Sequence, residues 1–469
     1  MKKAYDVIIV GAGPAGIFAA LELTLLDKDL QILMVDKGNN IAERRCLIHE
    51  KGSCARCNPC AIISGWAGAG AFSDGKLSLS TQVGGRIIEY LPSEEKAQEY
   101  INYADKIYLR FGASDAVYGL NSKRVDDLIY ECSRYNIQLV PCPVRHLGTE
   151  QCFNILQRMY IYLTTETKTE FYPRTTIEDI LVKDGAVIGV SLKNKKGEKK
   201  EVKAPVVIAA PGRGGAQWLT DQAKRLDIKT TNNEIDIGVR VEVPNSVMDH
   251  LTKELYEAKL VYYSDTFENK VRSFCMNPGG VVSEEMYDRD IAVVNGHSFA
   301  DPKLKTGNTN FALLVSTNFT EPFNQPTEYG KYIAKCANML TGDGVMIQRL
   351  GDLLKGRRTD YGRLKKSTTI PTLKSAVPGD LSFVLPQRYL TSIVETLKAF
   401  ENIAPGIYSK NTLLYGVEAK FYSSKITVDN NLETDIKGFY TIGDGAGITR
   451  GLMQASVTGV MAARDILKK

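Results

Sequence analysis

Histidine is scarce in this chain, with four among 469 residues, so few side chains can exchange a proton near neutral pH. Net charge is scarce too. The 59 basic and 54 acidic residues leave +5, too little to argue for nucleic acid. The basic runs at 193–200 and 355–366 read as solvated surface, the first as a hairpin tip around Lys196-Gly197. No apolar stretch is long enough to span a bilayer. The apolar run at 7–10 is too short, and too soon broken by Gly11 and Gly13, for a signal peptide. Nine cysteines in so long a chain do not read as a secreted disulfide framework, so a reducing cytoplasm is expected. Internal repeats and low-complexity linkers are lacking. What remains is an ordinary globular composition, 43% hydrophobic and 24% charged, in a chain too long for one core.

Tyr5–Val10 is a short β-branched run and predicts a buried parallel strand. It leads into Gly11-Ala-Gly13-Pro14-Ala15-Gly16, then a helical stretch at 17–26, then a second strand at 31–35 ending in Asp36. Gly16 and Asp36 are twenty residues apart, the spacing of a dinucleotide fingerprint. Gly11 permits the tight turn, Gly13 lets backbone approach a pyrophosphate, and Gly16 lets helix and strand pack closely. The helix N-terminus offers N–H groups and partial positive charge to phosphates. Asp36, with Lys37 beside it, is placed to accept both adenosine ribose hydroxyls.

The C-terminus chooses between nicotinamide and flavin. Gly438–Gly447 reads as a strand ending in Gly443-Asp444, followed by Gly451-Leu452-Met453-Gln454-Ala455 and a helix to Leu467. This resembles FAD proteins of the glutathione reductase superfamily. There the aspartate holds a ribityl hydroxyl and the next helix points its N-terminus at the flavin. Val206–Gly215, with its turn at Gly212, resembles the mid-chain Ala-Thr-Gly turn of that superfamily, although Ala-Ala-Pro-Gly departs from it. The alternating stretch 171–202 reads as the small β-meander before that turn. No second fingerprint of comparable quality follows a strand, so a separate NAD(P)H domain is not expected; NAD(P)H remains open as an electron donor that visits the flavin directly.

Over nearly its whole length the chain is similar to the uncharacterised FAD-dependent dehydrogenases of bacteria. Besides the two FAD motifs, the resemblance rests on Gly65–Leu77, Phe274–Gly280, Gly307–Val315 and Leu414–Phe421. It implies redox chemistry on a carbon skeleton and names no substrate. In related enzymes the segment equivalent to Gly65–Leu77 curls against the flavin. Gly68, Gly70, Ala71, Phe72 and Ser73 would then face the cofactor; a plain Gly/Ala-rich linker is the alternative.

Cys46, Cys54, Cys57 and Cys60 fall within fifteen residues. The Cys-x2-Cys-x2-Cys run resembles bacterial ferredoxins. An iron–sulfur cluster (4Fe-4S), a structural zinc, or free or redox-paired thiols all fit. A cluster would make an electron port for a one-electron donor protein. Cys132, Cys142, Cys152 and Cys336 read as small buried hydrophobes, and Cys275 as a thiol that could approach the flavin. Catalytic groups are harder to place. His146, His297 and Lys420 are the candidates, Glu418 lies near Lys420, and Arg349, Arg357 and Arg358 could bind a substrate carboxylate.

The expected architecture is α/β: a Rossmann-like FAD-binding domain (parallel sheet with β-meander) plus an α+β substrate lobe. The FAD domain is expected at 1–90, 169–234 and 405–469, a helical insertion at 91–168, and the substrate lobe at 235–404. The expected activity is hydride transfer between flavin N5 and a small organic substrate. A thiol/disulfide-active flavoenzyme and an FAD-dependent RNA modifier are the alternatives. No membrane span is expected.

Overall fold

The computed structural model describes residues 1–46, 57–73, 75–120, 122–287, 290–299, 301–320, 322–323 and 325–469. The chain divides into two compact units. One comprises Met1–Ala116, Arg145–Asn233 and Tyr422–Lys469; the other comprises Val117–Val144 and Glu234–Phe421.

The first unit is built on a five-stranded parallel sheet. Its strands are β1 (Val7–Val10), β2 (Ile32–Val35), β3 (Glu170–Tyr172), β4 (Val206–Ala209) and β5 (Phe439–Thr441), in the order β5-β4-β1-β2-β3. Every residue of β1 and β2 is buried, which explains why both are unbroken apolar runs rather than alternating ones. Helix α1 (Pro14–Leu26) follows β1, and helix α2 (Leu452–Ile466) follows β5. The meander is a three-stranded antiparallel sheet of Thr176–Lys183, Ala186–Lys193 and Lys199–Lys203.

The second unit carries an eight-stranded sheet, antiparallel except at one edge. Its central strands are Leu413–Lys420, Ile235–Pro244 and Asn308–Thr317. Along Ile235–Pro244, Ile237, Val239, Val241 and Val243 enter an apolar core with Ile393, Leu397 and Phe400. The alternate residues Asp236, Arg240 and Glu242 are polar yet also fully buried. Strand alternation therefore separates an oily face from an ionic one.

The unit boundaries differ from those read in sequence. Leu413–Lys420 belongs to the second unit because it pairs with Ile235–Pro244. Residues 91–116 and 145–168 belong to the first unit. Their helices bury Ala97, Ile101, Ile155 and Leu163 in the same core as β1 and β2. Length and turn composition cannot reveal which core a helix joins.

Candidate functional site

The glycines of the first motif sit where a side chain has no room. Gly11 has φ +102, and a Cβ there would overlap the Ala210 carbonyl; one on Gly16 would overlap the Gly11 carbonyl. At Gly13, which caps α1, the only heavy atom of the described residues near a Cβ position is Gly68 Cα at 4.0 Å. The α1 N-terminus is thus bare backbone with Pro14 at its start and no acidic side chain in its first turn, an arrangement suited to a pyrophosphate.

The separate motifs converge here. A Cβ on Gly70 would stand 3.1 Å from Leu452 Cδ2 and 3.2 Å from Pro14 Cγ, and one on Gly443 would stand 3.0 Å from Ala15 Cβ. Gly70 and Gly443 therefore both meet the first turn of α1, and Gly70 also meets the start of α2. Ala71 is buried, Ser73 Oγ donates to the Gly70 carbonyl at 3.0 Å, and the Cys152 thiol donates to the same carbonyl at 3.2 Å. Gly212 holds a left-handed turn, φ +60, and its carbonyl oxygen lies 2.7 Å from where a Gly445 Cβ would stand. Asp444 accepts Thr449 Oγ1 at 2.7 Å and faces Arg213 Nε at 3.5 Å.

Several residues are occupied differently from expectation. Asp36 accepts backbone N–H groups from Ala12 (3.0 Å), Gly38 (2.8 Å) and Gly65 (2.7 Å). Three of its roughly four acceptor positions are taken. It is first a clamp on three loops, with room for one further donor rather than two. Gln454, fully buried, gives its amide to the Thr81 and Val83 carbonyls at 3.1 and 2.9 Å and accepts Ile87 N–H at 3.4 Å. It holds a loop, and both of its amide hydrogens are taken. Lys37 Nζ donates to the Gly214 carbonyl at 2.7 Å. A cavity of about 770 Å³ opens beside it, lined by Lys37, Asn39, Ser64, Arg174, Thr176 and Lys195 among others.

Sequence reasoning missed Arg44 and Arg450. The Arg44 side chain is buried and donates to the Ala61, Ile62 and Trp66 carbonyls, with its guanidinium 4.9 Å from the Phe72 ring centroid. Burial lowers its pKa to about 10 against the opposing charges of Asp36 and Cys60. Arg450 lies directly before Gly451, the N-cap of α2. Its guanidinium stacks 3.7 Å from the Tyr422 ring centroid, and its Nη2 is buried with no hydrogen-bond partner among the described residues.

Of the cysteine loop, Cys46, Cys57 and Cys60 are half-buried and free; Cys54 lies outside the described residues. Among those described, no three His, Cys, Asp or Glu side chains gather as a metal site. His146 ends the strand Val144–His146, which pairs with Lys76–Ser78, so it adjoins the Gly65–Leu77 segment. His297 is exposed at the end of the strand Ile291–His297 in the second unit.

In the second unit the fully buried Arg240 grips fully buried Glu418 with two bonds, Nε to Oε2 at 2.9 Å and Nη2 to Oε1 at 3.0 Å. Its Nη1 donates to Asn310 Oδ1 at 2.7 Å and to the Cys275 carbonyl at 3.2 Å. Lys420 Nζ adds a 2.9 Å contact to Glu418. Burial pushes the Glu418 carboxyl up, but the charges of Arg240 and Lys420 outweigh it and hold it below its ordinary range. Burial pushes Lys420 down, yet Glu418 keeps it above the usual lysine range. Lys420 is therefore a fixed cation and not a proton acceptor near neutrality. Arg349 bonds the Arg363 carbonyl and Asn411 through its two terminal nitrogens, while its Nε is buried with no hydrogen-bond partner among the described residues; Arg357 bonds Asp352, and Arg358 is exposed.

The glycine contacts and the bare helix N-terminus suit a dinucleotide. Residues 138–239 match an FAD binding domain family, and residues 234–421 match the family described as FAD-dependent protein, C-terminal domain-like. An uncharacterized protein of Clostridium beijerinckii is 25% identical over 486 residues, covering 98% of this chain and 80% of its own. Similar solved structures include the 3-ketosteroid-Δ4-(5α)-dehydrogenase of Rhodococcus jostii RHA1, 12% identical, covering 100% of this chain and 98% of that one, with a TM-score of 0.47. L-Proline dehydrogenase from P. horikoshii is another, 11% identical, covering 100% and 94%, with a TM-score of 0.42. Among the described residues no helix is long and apolar enough to cross a membrane. The chain is an FAD-dependent oxidoreductase, with one stretch that matches an FAD binding domain family and another that matches the C-terminal domain of FAD-dependent proteins.

Proposed function

We propose that the chain transfers a hydride between flavin N5 and a small organic substrate that carries an anionic group, and that Arg450 holds that group. The bound flavin supplies the hydride chemistry. The α1 N-terminus at Gly13 and the Gly68 backbone would take the pyrophosphate, Asp36 one ribose hydroxyl, and Asp444 a ribityl hydroxyl. The start of α2 would face the flavin ring, the glutathione-reductase-type arrangement. One observation carries the substrate reading: Arg450 Nη2 is buried without a hydrogen-bond partner among the described residues. A buried donor of a cation left unpaired is costly, so an acceptor is expected there during turnover. Stacking on Tyr422 fixes the plane of the guanidinium, which suits two parallel bonds to a carboxylate. His146, on the strand that pairs with Lys76–Ser78, is the candidate to exchange the substrate proton.

The test is titration of the FAD-loaded protein with small carboxylates and their amides, following the flavin spectrum. The wild type should respond to carboxylates. Arg450→Met should load FAD equally and bind carboxylates about 10-fold to 100-fold more weakly, the worth of a charged hydrogen bond. Equal responses from both proteins, or from carboxylates and amides, would defeat the reading.

A further inference from the structure

Residues 351–374, all in the second unit, contain seven basic and two acidic side chains, a surplus equal to the +5 of the whole chain. The remainder of the sequence is therefore neutral on balance. One of the acids, Asp352, is buried and takes Arg357 Nε at 2.9 Å, with Arg363 Nε at 3.9 Å. Lys355, Arg358, Lys365 and Lys366 are exposed and form no ion pair among the described residues.

Apolar side chains stand in water among these cations. Tyr361 is 66% and Ile370 is 67% exposed. Tyr361, Leu364, Lys365 and Ile370 line one shallow groove of about 240 Å³. The backbone beneath them is tied down. Asn308 Nδ2 donates to the Ile370 carbonyl at 2.8 Å, and Thr372 Oγ1 donates to buried Glu242 at 2.6 Å. Thr359 Oγ1 donates to Asp352 at 3.0 Å. Turning Ile370 inward would break bonds to buried groups, so its exposure is built into the loop.

We propose that this face binds an anionic phospholipid surface, with Lys355, Arg358, Lys365 and Lys366 on the headgroup phosphates and Ile370 and Tyr361 in the acyl boundary. Single apolar side chains spaced between long cationic ones match an interfacial contact, where lysine and arginine stems lie along apolar surface and their heads reach the phosphates. A protein partner would call instead for a contiguous apolar centre with a polar rim.

The experiment is flotation of the full-length, FAD-loaded protein with phosphatidylcholine vesicles, with and without about one third phosphatidylglycerol. The wild type should float only with the anionic vesicles, and less as salt rises. Each cation near such a surface is worth about fivefold in partition, so R358E/K365E/K366E together should lose more than about a hundredfold. Ile370→Asp should reduce binding while K193E/K195E, on the other basic run, should not. Retained FAD and unchanged melting temperature would show that each variant folds. No flotation of the wild type overturns the proposal and leaves the face to an acidic protein. So does a triple variant that floats like the wild type, or a K193E/K195E variant that loses as much.

Discussion

Gly459 of α2 lies directly on Ala15 of α1: a Cβ on Gly459 would overlap the Ala15 carbonyl oxygen and stand 2.7 Å from Ala19 N. The first turns of α1 are thereby pressed against the middle of α2.

Gly459→Val should force the helices apart. Overpacking of this kind costs about 1–3 kcal/mol. The FAD content of the purified protein should fall further than the melting temperature alone explains, because the cradle loses its register. Wild-type FAD content in a stably folded Gly459→Val variant would refute this.

Asp36→Ala should loosen three loops at once, since Ala12, Gly38 and Gly65 N–H groups lose their acceptor. A loss of about 1–3 kcal/mol of stability is expected from the unsatisfied donors, together with weaker FAD binding. Urea unfolding without FAD separates the clamp from ribose binding, because only the clamp acts in the empty protein.

Glu418→Gln should be strongly destabilising, about 3–5 kcal/mol, because it leaves Arg240 and Lys420 without their buried counter-charge. The pH dependence follows from the directions. Glu418 is depressed in the folded state, so its contribution is present above its unfolded value and is lost as pH falls through its folded one. Lys420 is raised, so its contribution is present below its unfolded value and fades as pH rises through its folded one. Unfolding from pH 3 upward should therefore show a shallower acid limb for Glu418→Gln than for the wild type; parallel limbs would contradict the assignment.

Cys57→Ser and Cys60→Ser should leave FAD loading within about twofold, because the loop backbone is held by Arg44 rather than by the thiols. Iron and zinc analysis of anaerobically purified protein decides what the thiols hold. About four irons per chain, lost in the serine variants, would give the loop an electron port. No metal would turn the search for a donor to NAD(P)H.

The local motifs were legible because each glycine answers a contact within its own turn or with the next element. Gly11-x-Gly13-x-x-Gly16, Gly212 and Gly443-Asp444 could be read in order, and α1, β1 and β2 with them. Motif position makes cofactor ligands of Gln454 and Asp36, yet Gln454 bonds loops as far as 373 residues away in the chain, and Asp36 gives three of its roughly four acceptor positions to backbone N–H groups.

The sequence by itself determined the glycine turns at Gly11–Gly16, Gly212 and Gly443 and the helix that follows the first of them, because turn sterics and helix starts are short-range physics. Only the tertiary structure decided that Arg240 meets Glu418, that Gly459 meets Ala15, that Leu413–Lys420 joins the second unit, and that Arg450 keeps a buried nitrogen unpaired among the described residues. Each of these depends on which distant strands and helices share a face, and so on long-range packing that no window of sequence contains.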